Sequence, residues 1–241
     1  MINNIGIQLN SLRNECEADL DGTFSKLSEL GFKGVEFCDF FGKTSDEILS
    51  ILAKNNLKLI SSHISLEDML DNFEEIVTFQ KAIKANKIII MHGNIHGAES
   101  LSLLIDNLNA LQSRLRQHRI DLFYHNHEQE FKKYSNGEIA MVDIIEKTDV
   151  LVELDAFWAE QAGADVVGFL NVYPDRIQLL HLKDGDNHIP SPIGDGNANC
   201  KEVYDLAIKN DVEWVIVELS GKQQNSLEAI EKSINYIKNN F

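Results

Sequence analysis

Short apolar runs rich in β-branched residues recur along the chain, and each is followed by a segment whose apolar positions repeat at helical spacing. Eight such runs are candidate strands: Ile5 to Leu9, Val35 to Phe37, Leu57 to Ser61, Lys87 to Met91, Ile120 to Tyr124, Val150 to Leu154, Ile177 to Leu182 and Trp214 to Leu219. In the intervening segments, positions such as Leu20, Phe24 and Leu27 fall on one face of a helix. The pattern therefore predicts eight consecutive strand–helix units.

Turn-forming residues lie where these helices should begin or end. Gly31 follows the first helix, Asn55 and Asn56 follow the second, and Ser226 is suited to cap the start of the last. Alternating strands and helices demand a parallel sheet, and eight units close into a (β/α)8 TIM barrel, whereas an open sheet more often has five or six strands. No glycine-rich dinucleotide or phosphate loop follows any strand. We therefore expect residues 1–241 to form a single TIM-barrel domain.

The net charge of the chain limits the classes of partner that it is expected to bind. With 22 Lys and Arg against 38 Asp and Glu, the formal net charge is −16, which opposes binding to nucleic acid. No apolar run approaches the roughly 18 residues of a membrane span, and the first residues lack the pattern of a secretory signal. Cys16, Cys38 and Cys200 show no metal or disulfide spacing. We expect a cytoplasmic protein with no nucleic-acid or membrane partner, and the sequence leaves a homo-oligomer open.

Polar residues collect at the carboxyl ends of the predicted strands, where a TIM barrel has its active site. These residues are Gln8, Glu36, His63, His92, His125, Asn126, His127, Glu153, Asp155, His181, Lys183, Asp184 and Glu218. A single histidine in such a place is more often a hydrogen-bonded rim residue than a ligand. Together, however, Asp155, His181 and Glu218 would bring two carboxylates to one barrel mouth, which is costly unless a cation or protons compensate.

These three residues predict a site for one divalent metal. Oxygen and nitrogen ligands without a thiolate suit Mn, Mg, Co or Zn, with positions left open for substrate oxygens. Mn is our first choice.

Several short motifs, in order and at barrel spacing, carry a resemblance to a known family. They are YHNHEQEF at 124–131, ELDAFWAEQAG at 153–163, LLHLKDG at 179–185, GDG at 194–196 and VELS at 217–220. The chain resembles the sugar phosphate isomerase/epimerase family of the xylose isomerase-like TIM barrel superfamily. That superfamily also contains ketose 3-epimerases, inosose dehydratases, dehydroshikimate dehydratases and endonuclease IV. The motifs are specific for the superfamily but much less so for a substrate.

The resemblance implies a set of metal ligands. Members of the superfamily commonly hold one metal with Glu, Asp, His and Glu from strands five to eight, and by position Asp155, His181 and Glu218 match the last three. The fifth-strand position holds His125 instead of Glu, with Glu128 and Glu130 just beyond it. We take His125 as the fourth ligand and keep the two glutamates as alternatives.

The resemblance also implies chemistry in which a proton leaves a carbon next to a carbonyl while the metal holds the resulting enediolate. Glu218 is then one candidate proton carrier, and His127, or alternatively Glu130, is the other. Lys183 would hold a hydroxyl or stabilise negative charge on the substrate. Residues expected to contact the sugar or polyol are Glu36, His63, Glu130 and Trp158. For Glu36 a barrel-rim ion pair, and for Trp158 packing under its loop, are the alternatives. The GDG segment is expected first as a turn with positive φ, and only second as a substrate loop.

Several functions remain open at this stage. An isomerase or epimerase returns the proton, whereas a lyase or dehydratase acting on a keto-sugar, inosose or 3-keto-glycoside expels a β-oxygen from the same site. An endonuclease IV-like nuclease needs more ligands and a cationic surface, which the net charge opposes. A non-catalytic sugar-binding barrel would predict a disabled metal set. Because no phosphate loop is evident, an unphosphorylated substrate is slightly favoured.

Overall fold

Eight parallel strands close into a barrel in the computed structural model, which describes residues 4–133, 139–219 and 227–241. The barrel strands are β1 (Ile5–Gln8), β2 (Gly34–Phe37), β3 (Lys58–Ile64), β4 (Lys87–Ile90), β5 (Asp121–His125), β6 (Leu151–Asp155), β7 (Ile177–Leu182) and β10 (Trp214–Val217). Each strand pairs in parallel with its neighbours in the chain, and β10 closes the barrel against β1. The prediction of a TIM barrel is confirmed.

Helices alternate with the strands, and their apolar faces pack on the barrel. The longer helices are α2 (Leu20–Leu30), α3 (Ser45–Lys54), α5 (Phe73–Ala82), α6 (Ala98–Arg116), α7 (Ala140–Lys147), α10 (Cys200–Lys209) and α11 (Leu227–Asn240), and the short ones are α1 (Arg13–Ala18), α4 (Leu66–Asp71), α8 (Ala156–Gln161) and α9 (Val166–Val172). As predicted, Gly31 ends α2 in the left-handed conformation, with φ 92°. The predicted cap at Ser226 lies outside the described residues. None of the helices in the described part of the chain combines the length and apolarity needed to cross a bilayer.

Three strands, β3, β5 and β6, extend further into polar sequence than the apolar runs indicate. β3 continues to Ile64, so that His63 lies within the strand, and β5 and β6 end at His125 and Asp155. A short antiparallel hairpin, β8 (Asp184–Asp186) with β9 (Ile189–Ser191), follows β7 and was not predicted. Hydrophobicity underestimates these strand ends because their inward side chains face a polar interior.

The inside of the barrel has an apolar lower part and a polar upper part. The apolar part is a plug of buried side chains from six positions: Ile60, Ile89, Phe123, Leu179, Trp214 and Ile216. Gly34 makes room for it, since a Cβ there would lie 2.8 Å from Ile60 and 3.0 Å from Trp214. Residues two positions apart share a strand face, and two positions beyond plug residues come His125, His181 and Glu218. The apolar plug therefore lies directly beneath the polar residues inside the barrel.

A bulge between β2 and β3 adjusts the inward positions of β3. Val35 pairs with Leu59 but Glu36 pairs with Ser61, so Ile60 is an extra residue on β3. Such a bulge re-aims the side chains that follow it. β3 thus contributes Ile60 to the plug and still directs Ser61 and His63 toward the polar interior.

Candidate metal and catalytic site

Two groups of ligand-type side chains lie at the carboxyl ends of the strands. The first cluster is His125, Asp155, His181 and Glu218, and the second cluster is Glu36, His63, Glu153 and His181. Within each cluster, one ligand atom from every residue lies within 4.8 Å of the others. All of these side chains except His63 are buried. The first cluster contains all four residues predicted as metal ligands, so the fold brings them together.

His125 presents one ring nitrogen to the first cluster. Its Nδ1 lies 2.9 Å from the carbonyl oxygen of Met91, and because a carbonyl only accepts, Nδ1 carries the proton. Its Nε2 lies 3.5 Å from Asp155 Oδ2 and has no hydrogen-bond partner among the described residues. The backbone of the β4 end therefore fixes the tautomer that leaves the Nε2 lone pair free for a ligand.

Asp155 is held by its own strand end and by the neighbouring one. Its Oδ1 accepts a hydrogen bond of 3.0 Å from Trp158 N and so caps α8, which leaves Oδ2 directed at the first cluster. The Asn126 side chain accepts from Asp155 N at 2.9 Å and donates to Asp155 O at 3.1 Å. This fully buried amide continues the β5–β6 pairing one residue past the end of β5.

The Lys183 ammonium lies between the two carboxylates of the first cluster. Its Nζ is 2.6 Å from Asp155 Oδ2 and 2.9 Å from Glu218 Oε2. Burial would raise the pKa of Glu218, but Lys183 and His181 outweigh that effect and hold the pKa well below its usual range. Burial would likewise lower the pKa of Lys183, and the two carboxylates raise it instead. Lys183 is therefore a cation and Glu218 an anion at neutral pH.

The second cluster lies on the other side of His181. Glu36 is fully buried, and its Oε1 accepts hydrogen bonds of 2.7 Å from Gln8 Nε2 and from His181 Nε2, while Ser61 donates to its other oxygen. This differs from the predicted substrate contact, because its oxygens are already bonded beneath the first cluster. The alternative of a rim ion pair comes closer, although its partners are inside the barrel.

His63 joins two carboxylates of the second cluster. Its Nε2 lies 2.6 Å from Glu153 Oε2 and 3.0 Å from Glu36 Oε1. Burial alone would lower the pKa of His63, but the two carboxylates raise it to about 10. Across both clusters, four buried carboxylates face a single buried ammonium, that of Lys183. The site thus requires additional positive charge, which protons on histidines or a divalent cation can supply.

The segment after β5 contains Glu128 and Glu130, the two alternatives to His125 as the fourth metal ligand. Glu130 is buried, and its two oxygens accept hydrogen bonds of 2.9 Å from Tyr124 Oη and 2.8 Å from His127 N. Glu128 pairs with Lys132 at 2.9 Å and with His188 at 3.4 Å. Neither carboxylate belongs to the first cluster. The hydrogen bonds of Glu130 shape this turn, and its contact with substrate stays a prediction.

His127 lies beside the first cluster, with its ring centroid 4.9 Å from that of His125. Burial, reinforced by the electrostatic effect of the neighbouring His125 and Lys183 side chains, lowers the pKa of His127 to about 3. A pocket of about 500 Å³ opens next to it and is lined by His92, His127, Glu128, Gln129, Lys132 and Trp158. The half-buried Trp158 ring lines this pocket and has Lys183 Nζ 5.7 Å from its centroid, so it borders both the pocket and the lysine beside the first cluster.

Asp184 connects the LLHLKDG and GDG motifs through its side chain. Its buried carboxylate accepts hydrogen bonds of 2.8 to 3.1 Å from the backbone N–H groups of Gly185, Gly194, Gly196 and Ala198. Gly194 has φ 98°, as expected for a turn. The motif therefore folds the loop after β7.

The sequence places Gln8 and Glu153 at strand ends but indicates no role for them, and it gives no indication that Ser61 belongs to the site. Glu153 lies two residues before Asp155, so strand parity was the signal that could have placed it on the same inward face. Ser61 gave no such signal, because its direction depends on the β3 bulge.

Comparison with known proteins agrees with this architecture. The sequence model of the family described as xylose isomerase-like TIM barrel matches residues 24–240. An inosose dehydratase from Mesomycoplasma hyopneumoniae is 24% identical over 92% of this chain and 89% of its own length. An inosose dehydratase from Clostridium beijerinckii is 20% identical over 92% of this chain and 90% of its own.

Solved structures show the same fold at low sequence identity. A sugar phosphate isomerase/epimerase from Parabacteroides distasonis superposes with a TM-score of 0.86, at 22% identity, covering 98% of this chain and 93% of its own. An L-ribulose 3-epimerase superposes with a TM-score of 0.72, at 15% identity, covering 96% and 86% of the two chains. At these identities the superpositions establish the fold alone.

Proposed function

The chain belongs to the xylose isomerase-like TIM barrel family, and we propose that it is a metal-dependent sugar isomerase or epimerase that removes a proton from carbon next to a carbonyl. One observation carries the proposal. Three buried atoms of the first cluster, His125 Nε2, Asp155 Oδ2 and His181 Nδ1, face one another, and none completes a well-aligned hydrogen bond among the described residues, although Lys183 Nζ lies 2.6 Å from Asp155 Oδ2 and Glu218 Oε2 lies 2.8 Å from His181 Nδ1. Buried polar atoms are rarely left in this state unless a ligand completes them.

The donor set fits a divalent metal. Two imidazole nitrogens and two carboxylates suit Mn, Zn, Co or Mg, and we keep Mn as the first choice because oxygen and nitrogen ligands are mixed without sulfur. An ion held there polarises a carbonyl and stabilises the charge that develops when a neighbouring proton leaves.

The residues around the cluster supply the remaining functions. Lys183 stays protonated and has a flexible stem, so it can exchange its carboxylate partners for a substrate oxygen on which negative charge develops. Glu218, kept as an anion, is the first proton acceptor. His127 is neutral at physiological pH and lies beside both the pocket and the first cluster. Its charge and position suit it to transfer the second proton of the reaction. Trp158 offers an apolar face to a sugar ring.

A dehydratase is the second candidate, and the similarity to two inosose dehydratases over most of the chain favours it. Such an enzyme begins with the same proton removal, after which a β-hydroxyl leaves. In either case we propose an uncharged sugar, keto-sugar or inosose as substrate. The pocket offers one lysine, Lys132, which is already paired with Glu128, and this arrangement gives little support to a phosphate group.

Metal analysis and isotope exchange test the proposal together. Purified protein should take up one equivalent of Mn, Co, Zn or Mg, and Asp155→Ala with His181→Ala should abolish the uptake. The metal-loaded protein is then incubated in D₂O with a panel of ketoses, inososes and 3-keto-glycosides. Deuterium in an isomeric product supports the isomerase, and loss of one water supports the dehydratase. If the protein takes up no metal, or if no panel compound exchanges a proton, the proposal is wrong.

A further inference from the structure

We infer that Glu36 is a positioning residue for the metal site. It holds the Nε2 of His181, so that the Nδ1 of the same ring is presented to Asp155 and Glu218. The inference rests on the proposed function, because it treats His181 as a ligand. It gives Glu36 a role different from substrate binding. Glu36 acts through its contact with His181, and not through contact with His125, Asp155 or Glu218.

The two nitrogens of His181 have different surroundings. Nε2 lies 2.7 Å from Glu36 Oε1, its nearest carboxylate oxygen, and 3.3 Å from Glu153 Oε2, and a carboxylate only accepts, so Nε2 carries a proton. Nδ1 lies 2.8 Å from Glu218 Oε2 and 3.8 Å from Asp155 Oδ2. When the ring is neutral, its lone pair is therefore on Nδ1 and points into the first cluster. A carboxylate behind a ligand histidine fixes its tautomer and orientation and increases its basicity.

Glu36 is itself held in place from two neighbouring strands. Gln8 on β1 donates to its Oε1 at 2.7 Å, and Ser61 on β3 donates to its Oε2. The Glu36 side chain has no exposed surface, so its rotamer is fixed by these bonds and by packing. A rigid support of this kind is what a precise ligand geometry requires.

A second metal ion in the second cluster is the competing interpretation. It would use Glu36, His63, Glu153 and His181. In the structure, however, the oxygens of Glu36 accept bonds from Gln8, Ser61 and His181, and Glu153 Oε2 lies 2.6 Å from His63 Nε2. Of the carboxylate oxygens in the second cluster, Glu153 Oε1 alone has no hydrogen-bond partner among the described residues. Because the other oxygens are already bonded, we assign the second cluster as the support of the first.

Substitution of Glu36 tests the inference by metal binding. Glu36→Gln keeps the size of the side chain but removes its charge, and we expect the dissociation constant for Mn, measured by calorimetry on the full chain, to rise about 10- to 100-fold. The adjacent serines give a matched pair. Ser61→Ala removes a donor to Glu36, whereas Ser62→Ala removes a buried hydroxyl that donates to Gln80 at 3.1 Å on the outside of β3. Ser61→Ala should weaken Mn binding measurably, and Ser62→Ala should leave it unchanged.

Nitrogen-15 NMR of the histidine rings gives a second readout. In the Mg- or Zn-loaded wild type, His181 should have its proton on Nε2, with a slowly exchanging and downfield signal that disappears in Glu36→Gln. Equal Mn affinity of wild type and Glu36→Gln overturns the inference, as does a proton on Nδ1 or an Mn stoichiometry of two. If Glu36→Gln does not fold, the serine pair and the wild-type spectrum decide. If the wild type takes up no metal, the proposed function fails. The positioning role is tested independently on the metal-free wild type, where absence of the Nε2–H signal of His181 would overturn it.

Discussion

The Lys183 ammonium lies 2.6 Å from Asp155 Oδ2, at the side of the first cluster where a divalent cation would also have to bind. One positive group therefore compensates the Asp155 and Glu218 carboxylates before any metal arrives. The same contact makes Lys183 both a partner of the ligands and a candidate for contacting substrate. Its replacement separates these two roles.

We predict that Lys183→Met retains or tightens Mn binding while reducing turnover about 100- to 1,000-fold, the loss expected when one donor to a developing oxyanion is removed. Metal affinity is kept because Asp155 and Glu218 lose a competing cation. Calorimetry and steady-state assays measure the two effects. Lys201→Met, on the surface of α10 beside Asp205, is the matched control. Loss of metal by Lys183→Met would mean that the lysine supports the ligands and does not compete with the ion.

The fifth strand provides a second prediction. His125→Ala should weaken metal binding, because Nε2 has no hydrogen-bond partner in the described residues and faces the cluster. Glu130→Gln should retain the metal, because its carboxylate is bonded to Tyr124 and to the backbone of His127, and should instead lower the free energy of unfolding by about 1–3 kcal/mol. Metal content and chemical denaturation measure both. The reverse pattern, in which Glu130→Gln loses metal and His125→Ala keeps it, would make Glu130 the ligand.

His127 is predicted to act on the proton and not on the metal. His127→Ala should keep full metal occupancy and reduce turnover about 100- to 10,000-fold, the range attributed to a general acid or base. Its neighbour in the pocket, Gln129, bonds to Gly93 O at 2.7 Å. Steady-state kinetics on the metal-loaded variant test this, and turnover within a few-fold of the wild type would remove His127 from the mechanism.

The stability of the metal-free protein should depend on pH through His63. Its pKa rises from 6.5 to about 10 on folding, because Glu36 and Glu153 outweigh the effect of burial. A pKa raised in the folded state stabilises it fully below the unfolded value, and this contribution is lost as pH rises from about 6.5 to about 10. Unfolding by denaturant in the presence of a chelator should therefore show stability falling over this range.

His63→Asn should reduce that dependence, and the remainder should come from His181, whose pKa Glu153 and Glu36 raise well above its usual value against the effect of burial. His118→Asn, between α6 and β5 at the opposite end of the barrel, is the control and should follow the wild-type profile. A wild-type stability that is constant from pH 6.5 to 10, or identical slopes for wild type and His63→Asn, would contradict this assignment of the charge.

Nucleic-acid binding should be weak or absent. The net charge of −16 opposes the counterion release that drives non-specific association with DNA. Electrophoresis of a short duplex with micromolar protein at low salt should show no shift. Cleavage of a duplex containing an abasic site would overturn the assignment to sugar chemistry as well as this prediction.

The sequence by itself determined the barrel and the position of its polar mouth. Eight apolar runs alternating with helical patterns leave few other ways to bury so many strands, and Asp155, His181 and Glu218 follow from their places at successive strand ends. Tertiary structure alone decided how the side chains meet. His63 and Glu153 are 90 residues apart yet 2.6 Å from each other, and Glu130 turns away from the cluster three residues after His127. Spacing along the chain specifies which strand end a residue occupies, whereas a bulge, the strand register and competing hydrogen bonds set the direction of its side chain.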